Sequence, residues 1–166
     1  MFWIKKQNAD IAFLQETYST PDVVEKWPFQ WPGKMFYSHG TNHSRGVLIL
    51  INDKLLFESK HVRSDIDGRY VLIDGLIQAS PFLLLNIYSP NKTPDQCSFF
   101  SRVLSTLDEV DSASSGQLII GGDFNAHLEA ELDSTGGRRN LLISKTDLKE
   151  VTNFVPVTLQ SKTNWI

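Results

Sequence analysis

Asp123 and Asn125 stand one residue apart, just after the apolar run Leu118-Ile119-Ile120 gives way to Gly121-Gly122. In extended backbone, residues two apart project to the same side. A carboxylate and a carboxamide would then leave a buried strand together, with Phe124 facing the other way. An ionised carboxylate only accepts hydrogen bonds, whereas a carboxamide both donates and accepts. Such a pair suits a ligand site, and ligands commonly bind at strand ends of open sheets. Gly, Asp and Asn are also the usual turn residues, so the stretch reads as a strand-to-loop turn as well. Two further strand ends are polar. Gln15-Glu16 closes the run Ile11-Ala12-Phe13-Leu14, and Tyr88, followed by Asn91, closes Leu83-Leu84-Leu85-Asn86-Ile87. Taken singly, Glu16 reads as a solvated strand end and Tyr88 as a cap on a core. Together, three polar strand ends in one mixed sheet are hard to attribute to chance.

Regular elements must hold these residues. Met1–Asn8 reads as the end of a helix, with Lys5 and Lys6 where cations favour a C-terminus and Asn8 as the stop. Thr20-Pro21-Asp22 offers a capping residue, a first-position proline and a first-turn acid, which predicts a short helix reaching Trp27. Met35–Ser38 and Gly46–Asn52 predict a hairpin across the polar loop His39–Arg45. His39 and His43 have no third ligand at a familiar spacing and read as solvated. Leu55–Lys60 predicts another strand. Tyr70–Ile77 and Phe82–Tyr88 predict a second strand pair, joined through Ala79-Ser80-Pro81. Thr93-Pro94-Asp95-Gln96 has the form of a helix start with a capping box. Phe99, Val103, Leu107 and Val110 then make an apolar stripe, with Phe100 and Leu104 beside it, that must lie on a sheet. Strand, helix and strand from Phe82 to Gly122 give a βαβ crossover. Beyond Asn125, residues 126–140 read as an exposed loop and 141–151 as a helix.

Composition bounds the function. At 166 residues and 41% hydrophobic, the chain is one domain's worth with a substantial core. A net charge of -3 is less basic than expected of a protein held on nucleic acid by charge alone. It still permits a metal-dependent phosphoesterase, because a bound cation supplies local positive charge. A single cysteine, Cys97, excludes an internal disulfide and a cysteine-based zinc site and suits an intracellular, reducing compartment. No apolar run is long enough to span a bilayer, so no membrane partner is expected. Arg45, Arg69, Lys92, Arg138 and Arg139 could contact phosphates but read as solvated charges.

Five motifs in order carry a family resemblance: Asp10-Ile11-Ala12-Phe13-Leu14-Gln15-Glu16-Thr17, Ser44-Arg45-Gly46-Val47-Leu48-Ile49-Leu50, Asp67-Gly68-Arg69-Tyr70-Val71, Asn86-Ile87-Tyr88-Ser89-Pro90-Asn91 and Gly121-Gly122-Asp123-Phe124-Asn125-Ala126. They resemble the endonuclease/exonuclease/phosphatase superfamily, which includes DNase I, exonuclease III and the apurinic endonucleases. The wording is that of the endonuclease domain of non-LTR (LINE-type) retrotransposons, reaching as far as Glu131-Leu132-Asp133-Ser134-Thr135-Gly136-Gly137-Arg138. The resemblance implies a DNase I-like α/β four-layer sandwich of two mixed sheets flanked by helices. It divides the chain into a partial domain over 1–150 and a divergent tail over 151–166.

The resemblance also implies roles. Glu16 would hold Mg2+, with Mn2+ able to substitute. Asp123 would orient or deprotonate the attacking water, and Asn125 would donate to a phosphate oxygen. Tyr88 would support that phosphate or a neighbouring carboxylate, and Asn91 would touch the nucleic-acid backbone. The partner would be DNA, nicked by a monomer. The location would be nuclear if chromosomal DNA is the substrate, and a reverse transcriptase would be fused in a full-length relative. Two features of the family are not met in the sequence. These are an N-terminal strand bearing asparagine and a late Asp-His pair, since the last histidine, His127, follows Ala126. The expectation is a chain clipped at both ends, with uncovered sheet edges and weak or no activity. One alternative is a catalytically dead remnant that binds nucleic acid or a protein. Another is a phosphatase of the same superfamily.

Overall fold

The structure is a computed structural model that describes residues 2–27, 30–111 and 116–125. The expected loop over 126–140, the helix over 141–151, the tail over 151–166, and Arg138 and Arg139 lie outside the described residues. In chain order the elements are α1 (Phe2–Gln7), β1 (Ile11–Gln15), α2 (Pro21–Val24), β2 (Lys34–Ser38), β3 (Val47–Ile51), β4 (Phe57–Ser64), β5 (Tyr70–Ile77), β6 (Ser80–Tyr88), α3 (Thr93–Asp111) and β7 (Gln117–Asp123).

These strands form the two sheets of the expected sandwich, so the polar strand ends belong to two sheets rather than to one mixed sheet. The first runs β1-β3-β2 and the second β4-β5-β6-β7. The first is antiparallel throughout, with Leu48 opposite Leu14 on one side and Tyr37 on the other. The second is mixed: β4, β5 and β6 pair antiparallel, and β6 pairs parallel with β7. A parallel pair needs a long crossover, and α3 supplies it.

Burial sorts the apolar residues into three layers around the sheets. Ile4, Trp27 and Trp31 cover one face of the first sheet through Ala12, Leu48 and Leu50. Val47, Ile49 and Ile51 meet Val71, Ile73 and Leu84 between the sheets. The stripe of Phe99, Val103, Leu107 and Val110 on α3 packs on Leu83, Leu85, Ile87, Leu118 and Ile120. Helix, sheet, sheet and helix make the four-layer sandwich. Burying a side chain such as Phe99 completely contributes roughly 1.5–3 kcal/mol. Leu104, expected beside the stripe, is 43% exposed.

Several local expectations are corrected. Helix α2 ends at Val24, and its N-cap Thr20 makes no side-chain capping bond. β4 begins at Phe57 and carries a register shift between Ser59 and His61. The β5–β6 turn is Gln78-Ala79, both with positive φ, so β6 already starts at Ser80. Such a turn matches the twist of a hairpin, although neither residue advertises it.

One buried amide joins the sheets. Asn86 is fully buried on the face of β6 that meets the first sheet. Its Nδ2 donates to Leu14 O at 2.9 Å and Leu48 O at 3.0 Å, and its Oδ1 accepts from Gln15 Nε2 at 2.7 Å. Removing one partner from a buried hydrogen bond costs the desolvation of the group left behind. Asn86→Leu should therefore destabilise the fold by roughly 2–4 kcal/mol. Urea unfolding followed by the fluorescence of the buried Trp27 and Trp31 measures it, and an unchanged midpoint would exclude a structural role for the amide.

Candidate active site

Strand alternation carries β6 and β7 to the site directly. Leu84, Asn86 and Tyr88 alternate toward the first sheet, as do Ile119 and Gly121 on β7. The register then sets Tyr88 beside Asp123. Two glycines allow the approach. A Cβ on Gly121 would lie 3.0 Å from the Phe13 ring, and one on Gly122, whose φ is +141°, would lie 2.0 Å from Ile87 O.

Glu16 reaches the same place by breaking the alternation. Ile11, Phe13 and Gln15 on β1 face the second sheet, so continued strand would aim Glu16 away from it. Instead Glu16 adopts φ +52° and Tyr18 φ +49°. The turn is held by Thr17 N donating to Gly46 O at 3.1 Å and Tyr18 N to Arg45 O at 3.0 Å. Glu16 Oε1 thereby accepts a 2.6 Å hydrogen bond from Tyr88 Oη. The sheets meet at this contact.

Asp123 and Asn125 are also neighbours, but not through extended backbone. Asn125 has φ +46°, and its backbone N donates to Asp123 Oδ1 at 3.0 Å. This is an Asx turn. Asn125 Nδ2 donates to Ser89 O at 2.8 Å, and Ser89 N to Asp123 O at 2.8 Å. One amide hydrogen of Asn125 is thus committed to the β6 loop. Asn91 lies exposed beyond Pro90 and takes no part among the described hydrogen bonds.

Sequence reasoning missed three residues here. Asn86 was given no role of its own, only a place in the strand and in a family motif. Gln96 was assigned to a capping box, yet its Nε2 donates to Pro90 O and Asn125 O, each at 2.8 Å. Arg69, read as a solvated charge, donates from Nη1 to Tyr88 O at 3.2 Å, and its guanidinium lies 5.7 Å from the Tyr88 ring centre. Burial and then the charge of Arg45 lower the Arg69 pKa. Arg45 itself pairs with Asp67 at 3.5 Å. His39 is half-buried against the Tyr37 ring and the Ser19 hydroxyl, and burial lowers its pKa. Its ring is part of the loop packing rather than freely solvated.

The donor chemistry bears on a cation. Among the described residues there is no group of three or more His, Cys, Asp and Glu side chains placed to enclose a metal. Glu16 instead offers an exposed carboxylate, fixed at one oxygen, beside a phenol next to Asp123. A hard cation that keeps several waters and shares substrate phosphate needs only one or two carboxylates, so these residues fit Mg2+ better than zinc.

Two sheets packed face to face with helices outside, and polar side chains gathered at one strand-end edge, make a DNase I-like α/β sandwich. The chain belongs to the endonuclease/exonuclease/phosphatase family, whose sequence signature matches residues 3–165. It is 33% identical over 128 residues to an uncharacterized 149 kDa protein of transposon TX1 from Xenopus laevis, covering 77% of this chain and 10% of that protein. An AP endonuclease from Archaeoglobus fulgidus superposes with a TM-score of 0.58 at 22% identity, covering 77% of this chain and 51% of that one. TDP2 from C. elegans gives 0.56 at 23% identity, covering 75% and 40%. The chain thus spans about a tenth of the transposon protein and about half or less of these two solved chains.

The phenol has a measurable signature. Burial first, then the hydrogen bond to Glu16 and the charges of Glu16 and Asp123, push the Tyr88 pKa well above the usual tyrosine range, with Arg69 opposing. A raised folded pKa gives stability that is complete below the unfolded value and is lost as pH rises toward the folded one. Wild type should therefore lose stability above about pH 10, the ordinary tyrosine value. Tyr88→Phe should show a shallower loss over the same range in urea midpoints. Parallel profiles would contradict the environment described here.

Proposed function

We propose that this chain is part of a divalent-cation-dependent DNA endonuclease that hydrolyses phosphodiester bonds, acting in the target-site nicking of a retrotransposon. The observation that carries the reading is the 2.6 Å bond from Tyr88 Oη to Glu16 Oε1, which gathers strand ends of both sheets at one edge. Family membership, the transposon relative and the fold shared with an AP endonuclease support it.

In this mechanism Glu16 would hold the cation, Mg2+ with Mn2+ as a substitute. The bound ion would act as a Lewis acid on the scissile phosphate and its leaving oxygen. Tyr88 keeps the Glu16 carboxylate in one orientation and, with its raised pKa, stays a proton-bearing donor at neutral pH. Asp123 accepts the proton of the attacking water, whose oxygen forms the new bond to phosphorus. The phosphorus–oxygen bond to the leaving strand end breaks, and solvent protonates that oxygen. Asn125 directs its uncommitted amide hydrogen to a phosphate oxygen, and Asn91 contacts the backbone beyond. Action on chromosomal DNA would place the protein in the nucleus.

Nicking of supercoiled plasmid in Mg2+ tests the reading. Wild type should nick only weakly, because the family's late Asp-His pair is not met in the sequence. Glu16→Gln, which removes the carboxylate for the cation, and Asp123→Asn, which removes the positioned base, should each lower that rate by about 100-fold or more. Folded wild type without nicking activity would overturn it and leave a nucleic-acid or protein binding role. Preference for an inositol phosphate over DNA would instead indicate a phosphatase.

A further inference from the structure

The first turn of α3 reaches into the site through one side chain. Gln96 is 4% exposed. Both hydrogens of its Nε2 go to carbonyl oxygens, Pro90 O and Asn125 O, each at 2.8 Å. Those carbonyls belong to different loops, one after β6 and one after β7. A flipped amide would set Oε1 against two acceptors, so the chemistry fixes the orientation.

The bonds from Ser89 N to Asp123 O and from Asn125 Nδ2 to Ser89 O couple the loops to each other. Gln96 adds an anchor of another kind, because α3 is seated on the sheet by Phe99, Phe100 and Val103. The anchored carbonyl is that of Asn125, a residue held at φ +46°. L residues adopt this conformation at a cost, so Asn125 needs partners to keep it there.

We propose that Gln96 is a positioning residue. It holds the Asn125 carbonyl and the Ser89–Asn91 loop at a fixed spacing, so that Asp123 and Asn125 present their side chains to the scissile phosphate together. Its catalytic meaning rests on the nuclease reading above. The clamp itself is separately observable.

The test uses Gln96→Met, which keeps the length and removes both donors. Nicking kinetics should show kcat lowered by about 10- to 100-fold with KM within about twofold, the signature of misplaced groups rather than lost binding. Nuclear magnetic resonance of the same protein should show the Asn125 side-chain amide signals shifted and exchanging at least about tenfold faster. Amides of Leu84 and Ile120 should keep wild-type protection. Wild-type kcat with unmoved Asn125 signals would overturn the proposal, as would protection lost equally across β6 and β7. If wild type itself does not nick, the nuclease reading fails and the Asn125 signals alone decide on the clamp. Gln96→Glu gives a second arm: its protonated form restores one donor, so its effect on Asn125 should shrink on acidification. An effect independent of pH would count against the clamp.

Discussion

Two sheets that touch only through aliphatic side chains have no preferred offset, because hydrophobic contact is non-directional. Asn86 supplies the direction. Its three hydrogen bonds all cross from β6 to the first sheet, and each is satisfied only at one relative placement of the sheets. A buried polar network that is fully satisfied specifies a unique core. This one sits next to the proposed site. Gln15 is bonded to Asn86 and precedes Glu16, and Asn86 lies two residues before Tyr88. The spacing of the Glu16–Tyr88 pair is therefore inherited from the interior.

The same economy governs the loops around the site. Glu16, Tyr18, Arg45 and Asn125 all take left-handed backbone conformations, each unfavourable by roughly 1–2 kcal/mol. Backbone bonds from Thr17 and Tyr18 to Gly46 and Arg45 and side-chain bonds to Asp123 and Ser89 offset that cost. Strain of this kind collects where side chains must be aimed against the run of the backbone. Glu16 is the plainest case. The strand's own alternation would bury it in the outer layer, and one left-handed residue turns it to the opposite sheet.

Much of the fold was legible in the sequence because period and punctuation are local. The α3 stripe, the Pro21 helix start and the Tyr70–Ile77 and Phe82–Tyr88 strands each declare themselves within a few residues. The polar strand ends were legible too, and Tyr88 and Asp123 are adjacent as alternation requires. Sheet membership was not. Alternation marks a buried face but does not name the partner strand, so ends from two sheets read as ends of one. Asn86 and Gln96 were hidden for a related reason. Their partners are 38 to 72 and 6 to 29 residues distant, and a local pattern such as a capping box competes for the same amide. Arg69 was missed because guanidinium stacking on a phenol leaves no trace in spacing.

Under the proposed function, strand ends of both sheets share one cation- and phosphate-holding site. Paramagnetic broadening by trace Mn2+ in amide spectra of the labelled protein tests it most directly. The account predicts that signals of Glu16 and Thr17 from one sheet and of Asp123 and Asn125 from the other broaden together, and that Glu16→Gln abolishes the effect. Broadening confined to one sheet, or unchanged in Glu16→Gln, would contradict it.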